Sequence, residues 1–119
     1  GKGFVETSTT VHPSLRIPLH IKKAGTYLID IRYANGNGPS NTDNKCAVRT
    51  LLVNGQPAGT LVFPQRGNKE WSNWGYSNTI QLSLPRGRNT LTISYEPVNA
   101  NMHETINQAM IDYLRVTRL

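Results

Sequence analysis

Seven carboxylates, three histidines, one cysteine and two tryptophans are the residues of this 119-residue chain most able to do chemistry. The carboxylates are Glu6, Asp30, Asp43, Glu70, Glu96, Glu104 and Asp112. No two of them stand at a spacing that marks an acid–base pair, although two brought together in space could hydrolyse a glycoside. His12, His20 and His103 have no zinc spacing. Cys46 has no histidine close to it in sequence, so it reads as a small buried strand residue rather than a nucleophile. As the single cysteine it excludes an intrachain disulfide. The glycines of "NGNG" lead into a polar loop instead of opening a helix, so they do not form a phosphate loop. Catalysis is therefore not expected.

The tryptophans say more. Trp71 and Trp74 are three apart in "EWSNW", and in an extended segment an odd separation puts them on opposite faces. One can then anchor in the core while the other faces outward from a loop. Around them lie Arg66, Asn68, Lys69, Glu70, Ser72 and Asn73. An aromatic ring among amides and charges suits a sugar, whose C–H face stacks on the ring while its hydroxyls take directional hydrogen bonds. The alternative is that both rings are half-buried packing.

These residues must be positioned by strands. No segment keeps apolar residues at helical spacing for more than two turns, whereas period-two alternation recurs. "GFVET" is a first short strand. "LRIPLHI" places Leu15, Ile17, Leu19 and Ile21 on one side and Pro18 on the other, which suggests an edge strand or a bulge. After a turn at "KKAG", "TYLIDIRYA" puts Tyr27, Ile29, Ile31 and Tyr33 on one face and Leu28, Asp30, Arg32 and Ala34 on the other. An eleven-residue loop follows, from Asn35 to Lys45. "CAVRTLLVNGQPAGTLVF" reads as a hairpin turning at Asn54-Gly55. "PQRGNKEWSNWGYSN" is a second long connection. "TIQLSLPRGRNTLTISY" reads as another hairpin, turning over Pro85 to Arg88, and "EPVNANMHETINQ" is a third connection. "AMIDYLRVTRL" closes as a strand with Met110, Asp112, Leu114 and Val116 expected on one face. About eight short antiparallel strands in one domain over residues 1–119 imply an all-β sandwich or barrel.

The formal net charge is +6, which favours acidic partners. The lysines and arginines are scattered along the chain, however. The tightest groups, Lys22-Lys23 and Arg86-Gly87-Arg88, read as turns on a dispersed solvated surface. Neither a nucleic-acid nor a membrane partner is expected. Polyanion binding remains a minor reading, and an acidic polysaccharide would unite it with the sugar reading through Arg66 and Lys69 beside Trp71.

Six stretches in order, "GKGFVET", "AGTYLIDIRYANG", "LLVNGQPAGTLVFP", "EWSNW", "LPRGRNTLTISY" and "AMIDYLRV", together resemble carbohydrate-binding modules of families thirty-five and six. These are galactose-binding-like antiparallel β-sandwiches of jelly-roll type. The resemblance spans nearly the whole chain. It implies a non-catalytic module attached to a secreted glycoside hydrolase or related polysaccharide-acting enzyme, hence an extracellular or periplasmic setting. It implies an oligo- or polysaccharide as ligand and a parent catalytic domain as a further partner.

The resemblance also places a sugar site in the loops at one edge of the sandwich. Carried over, its aromatic falls on Phe4, with Glu6 in place of the family's Asp. Its tryptophan falls on Trp71. Its asparagine position falls on Met110, with Asn107 nearby as a substitute. Tyr27, Tyr33 and Tyr95 either pack the core or offer the concave sheet to a sugar. The family's Glu-Ala-Glu opening strand has no counterpart here, so one strand position is expected to be unfilled. That strand helps hold a structural calcium ion, which needs six to eight oxygen ligands, and no cofactor is expected. The other reading is a structural or interaction domain of a larger enzyme with a degenerate sugar site.

Overall fold

The computed structural model describes residues 5–8, 13–35, 47–64, 74–99 and 109–119, with only the backbone at 5 and 6. Within them lie β1 (Val5–Thr7), β2 (Ser14–Ile21), β3 (Gly25–Ala34), β4 (Ala47–Val53), β5 (Gln56–Phe63), β6 (Gly75–Tyr76), β7 (Ile80–Leu84), β8 (Gly87–Ser94) and β9 (Ala109–Arg118), with a short 3-10 turn at Pro97–Asn99. One sheet runs β1-β9-β3-β6, with β7 also paired to β3. The other runs β2-β8-β4-β5. Every pairing is antiparallel.

The two sheets bury the apolar halves of their alternating strands against each other. Tyr27, Ile29, Ile31 and Tyr33 of β3 meet Leu51, Leu61, Phe63, Leu91 and Ile93 of the opposite sheet in one core. The alternation expected for β3 holds, and Tyr27 and Tyr33 are core residues. The β4–β5 hairpin also forms as expected. Asn54 (φ 51°) and Gly55 (φ 84°) both take the left-handed backbone that a tight two-residue hairpin turn requires. β2 is an edge strand with Pro18 exposed, where its missing N–H costs no ladder bond.

Three expectations are corrected. First, β7 and β8 do not form a hairpin. β7 pairs with β3 in one sheet, while β8 pairs with β2 and β4 in the other. The Pro85–Gly87 turn crosses between sheets, with Gly87 at φ 109°. The apolar faces of β7 and β8 thus meet across the core, where both are buried, instead of lying side by side. Second, Met110, Asp112, Leu114 and Val116 do not share a face. The β3–β9 register slips between Arg32 and Tyr33, so that Arg32 pairs with Tyr113 but Tyr33 with Ile111. The extra residue, Asp112, reverses the parity of the strand. Ala109 and Ile111 point inward before it, and Leu114 and Val116 pack on the core after it. Third, the segment around "WGY" contains a two-residue strand, β6, beside Arg32 and Tyr33.

β9 pairs with β1 only over Ala109–Ile111. Past Ile111 no described strand lies along its second edge, and residues 1–4, which precede β1, are outside the described residues. An apolar groove of about 460 Å³ opens there, lined by Leu15, Ile17 and Leu19 of β2 and by Ile111, Leu114 and Val116.

Candidate functional site

The register sorts the connections into two ends. Thr7 pairs with Ala109, Ala34 with Met110, Ala47 with Phe63 and Ser14 with Ser94. The four longest connections between strands (8–13, 35–46, 64–74 and 95–108) therefore start and finish at one end. The connections of two or three residues at 22–24, 54–55 and 85–86 occupy the other, while 77–79 joins β6 to β7 along β3. A sandwich whose loops gather at one end can join residues from distant parts of the chain into one site.

Buried side chains brace the roots of that loop end. Asn35 is fully buried and donates from Nδ2 to the Phe63 carbonyl at 2.9 Å. The Tyr33 hydroxyl donates to the Pro64 carbonyl at 2.8 Å. Both tie β3 to β5 where two long connections leave. Arg49, also 0% exposed, points inward from β4. It donates to the Val48 carbonyl at 2.8 Å, its Nη2 lies 3.4 Å from Thr7 Oγ1, and its guanidinium sits over the Tyr95 ring at 5.1 Å. Burial pushes the Arg49 guanidinium down to about 10, against a weaker upward pull from Tyr95. On the 3-10 turn, Asn99 Oδ1 accepts from Thr50 Oγ1 at 3.2 Å and from the Glu96 N–H at 2.7 Å.

Two of the five expected site residues fall within the described backbone. Glu6 and Met110 are direct cross-strand partners, and Met110 also pairs with Ala34, so both stand at the loop end of the sheet. The Met110 side chain is half-buried. Phe4, Trp71 and Asn107 lie outside the described residues, as do Cys46 and most of the Asn35–Lys45 loop. Tyr95 is half-buried under Arg49 and offers no open ring to the concave face. Among the described residues no three His, Cys, Asp or Glu side chains come together.

A group that sequence reading missed covers the outer face of the β9-β3-β6 sheet. Asp30 and Arg32, polar residues in an apolar run, each find an opposite charge on β9. Asp30 accepts from Arg115 Nε at 2.9 Å and from Nη2 at 2.6 Å, and Arg32 pairs with Asp112. The Arg115 guanidinium lies 3.8 Å above the Tyr76 ring. Tyr76 and Tyr113, about 40% exposed, share a hydroxyl–hydroxyl hydrogen bond of 2.6 Å. That bond, aided by partial burial, holds the Tyr113 phenol above its ordinary range. Trp74, the second tryptophan, is half-buried with Arg32 over its ring at 5.2 Å. It packs against the outer face of the sheet and is not part of the apolar core, while Trp71, the other half of the expectation, lies outside the described residues.

The fold, with its long connections gathered at one end, is that of a two-sheet antiparallel β-sandwich module. No protein-family model matches the chain. A solved family 35 carbohydrate-binding module from an environmental isolate is 30% identical, with a TM-score of 0.72, over 98% of this chain and 74% of that one. A second family 35 module, solved in complex with a glucuronic-acid-containing disaccharide, is 28% identical with a TM-score of 0.71 over the same shares. The isomaltosyltransferase of Sporosarcina globispora is 32% identical over 96 residues, 81% of this chain, and the match spans only 8% of that enzyme's length. The chain belongs to family 35 of the carbohydrate-binding modules.

Proposed function

We infer that residues 1–119 form one non-catalytic module of a longer secreted, carbohydrate-active enzyme and that the loop end binds sugar. The observation that carries this is the register. It sets Glu6 beside Met110 and roots the connections bearing Trp71 and Asn107 at the same end. Trp71 supplies the stacking ring, with Phe4 as a second apolar face. Glu6 and Asn107 hydrogen-bond hydroxyls, and Met110 offers only apolar contact where an amide would orient the sugar. A single open site of this kind gives micromolar to millimolar affinity. The similarity to a segment of an isomaltosyltransferase makes an α-1,6-linked glucan the first ligand to test. Titration of the 119-residue chain with dextran oligosaccharides, followed by tryptophan fluorescence, should show saturable binding that Trp71→Ala weakens about tenfold or more. Absence of binding to dextran and to glucuronic-acid-containing oligosaccharides alike, with Trp71→Ala indistinguishable from the parent, would refute it.

The apolar groove beside β9 favours a second role. It suits a strand of the parent protein, which would pair with the part of the β9 edge that no described strand covers and seat apolar side chains on Leu15, Ile17, Leu114 and Val116. Adding flanking parent sequence should raise the unfolding midpoint. No change would leave the groove without that occupant.

A further inference from the structure

We propose that the short-turn end of the sandwich is a second binding surface, one that takes a polysaccharide carrying a regular series of anionic groups. In sequence its cations are scattered. Folding collects Lys22 and Lys23 on the β2–β3 connection, Arg86 on the β7–β8 connection, Arg88 at the start of β8 and Arg118 at the end of β9. The two connections run side by side because both of their flanks are paired, Ile21 with Gly87 and Gly25 with Leu84. Arg88 lies directly across from His20. Arg118 lies across from Tyr27, with its Nε 3.7 Å from where a Cβ on Gly25 would stand. All five cations are exposed, and none of their side chains makes an ion pair with a described residue.

The described carboxylates lie elsewhere. Asp30 and Asp112 are bonded to Arg115 and Arg32 on the sheet face, and Glu96 accepts from Ser94 near the loop end. Five like charges with no described side-chain carboxylate among them repel one another, and flexible turns would let them splay apart. Here both turns are held from beneath. Buried Asn89 donates to the carbonyls of Pro85 at 3.0 Å and Gly87 at 3.2 Å, and it accepts from Asn54 at 2.9 Å. The buried Tyr27 hydroxyl donates to the Lys23 carbonyl at 2.6 Å. The charges are thus gathered and preorganised, which lowers the ordering cost of binding a polyanion.

The chemistry of the end narrows the ligand. Among the described residues no exposed aromatic ring stands there, so nucleic-acid bases have nothing to stack on, and no helix or ribbon projects to enter a groove. Ammonium and guanidinium groups on adjoining turns match carboxylates or sulfates repeated along a glycan. This surface is independent of the sugar site at the loop end.

The test measures binding of the 119-residue chain to polygalacturonate and to dextran sulfate at low and at physiological salt. The comparison is with a variant carrying Lys22→Gln, Lys23→Gln, Arg86→Gln and Arg88→Gln. The parent should bind at low salt and weaken steeply as salt rises. The variant should lose about tenfold or more in affinity, with an unchanged unfolding midpoint and unchanged binding of neutral dextran. Trp71→Ala should leave polygalacturonate binding intact, which separates this surface from the loop end. Binding of only one of the two polymers would identify the anionic group as carboxylate or sulfate. Parent-like affinity in the variant would overturn the proposal, as would salt-independent binding or equal affinity for polyuridylate.

Discussion

Each end of the sandwich is held by one buried asparagine and one tyrosine, but the two pairs grip different things. At the short-turn end Asn89 and Tyr27 bond to the turns themselves, to the carbonyls of Pro85, Gly87 and Lys23. At the loop end the described bonds of Asn35 and Tyr33 go to the roots, the carbonyls of Phe63 and Pro64. The connections beyond those roots run to about ten residues each. The same two side-chain types therefore fix the turns at one end and tie the strand roots at the other. Fixed short turns present charges in one arrangement, whereas tied roots set long connections on a common core. This is the physical basis for assigning a preset electrostatic surface to one end and a loop-built sugar site to the other.

Substitutions at the two pairs sharpen that contrast. Asn89→Ala removes donors to two carbonyls and an acceptor for Asn54, and should cost about 2–3 kcal/mol in denaturant unfolding. It should also weaken polygalacturonate binding by freeing the basic turn, so a loss of stability with full affinity would break the link between rigidity and recognition. Asn35→Ala removes the bond to the Phe63 carbonyl in a fully buried position, and a loss of at least about 1–2 kcal/mol is expected. Its effect on binding should fall on dextran and not on the anionic polymer. Tyr27→Phe and Tyr33→Phe each delete one hydroxyl donor, for about 1 kcal/mol apiece. Polymer preference should split between them as it does between the asparagines.

The smallest effect concerns the sheet face between the ends. Tyr113 is held above its ordinary range chiefly by the hydrogen bond with Tyr76. A raised folded-state value means that the protonated phenol stabilises the fold. That contribution is complete below about pH 10, the unfolded value, and is lost as pH rises through the higher folded one. Tyr76→Phe should bring the Tyr113 titration down, read by phenolate absorbance, and soften the alkaline loss of stability. An unmoved titration would show that the hydroxyl pair does not set it.

Much of the sandwich was legible in the chain because alternation is a local signal. Tyr27 to Tyr33 declared the buried face of β3, Asn54-Gly55 declared its turn, and Pro18 declared an edge. The partners of β7 and β8 were not legible, since the same alternation serves a hairpin and a crossover equally well. The slip at Asp112 was invisible for a related reason. Periodicity assumes constant parity, and one extra residue reverses it. Of the proposed site, Glu6 and Met110 were suggested by resemblance, and their adjacency comes only from strand register. The charge pairs of Asp30 and Arg32 span about 80 residues of sequence, beyond any local pattern.

What the sequence alone determined is the strand content and the positions of the tight turns, because side-chain alternation and turn chemistry act between near neighbours; the sugar-binding family was indicated by the resemblance of six stretches in order. What only the tertiary structure decided is which strands pair, which face each residue of β9 takes, and that Lys22, Lys23, Arg86, Arg88 and Arg118 stand together. Those outcomes depend on burying both sheets at once, a condition set by the whole chain and written in no single segment of it.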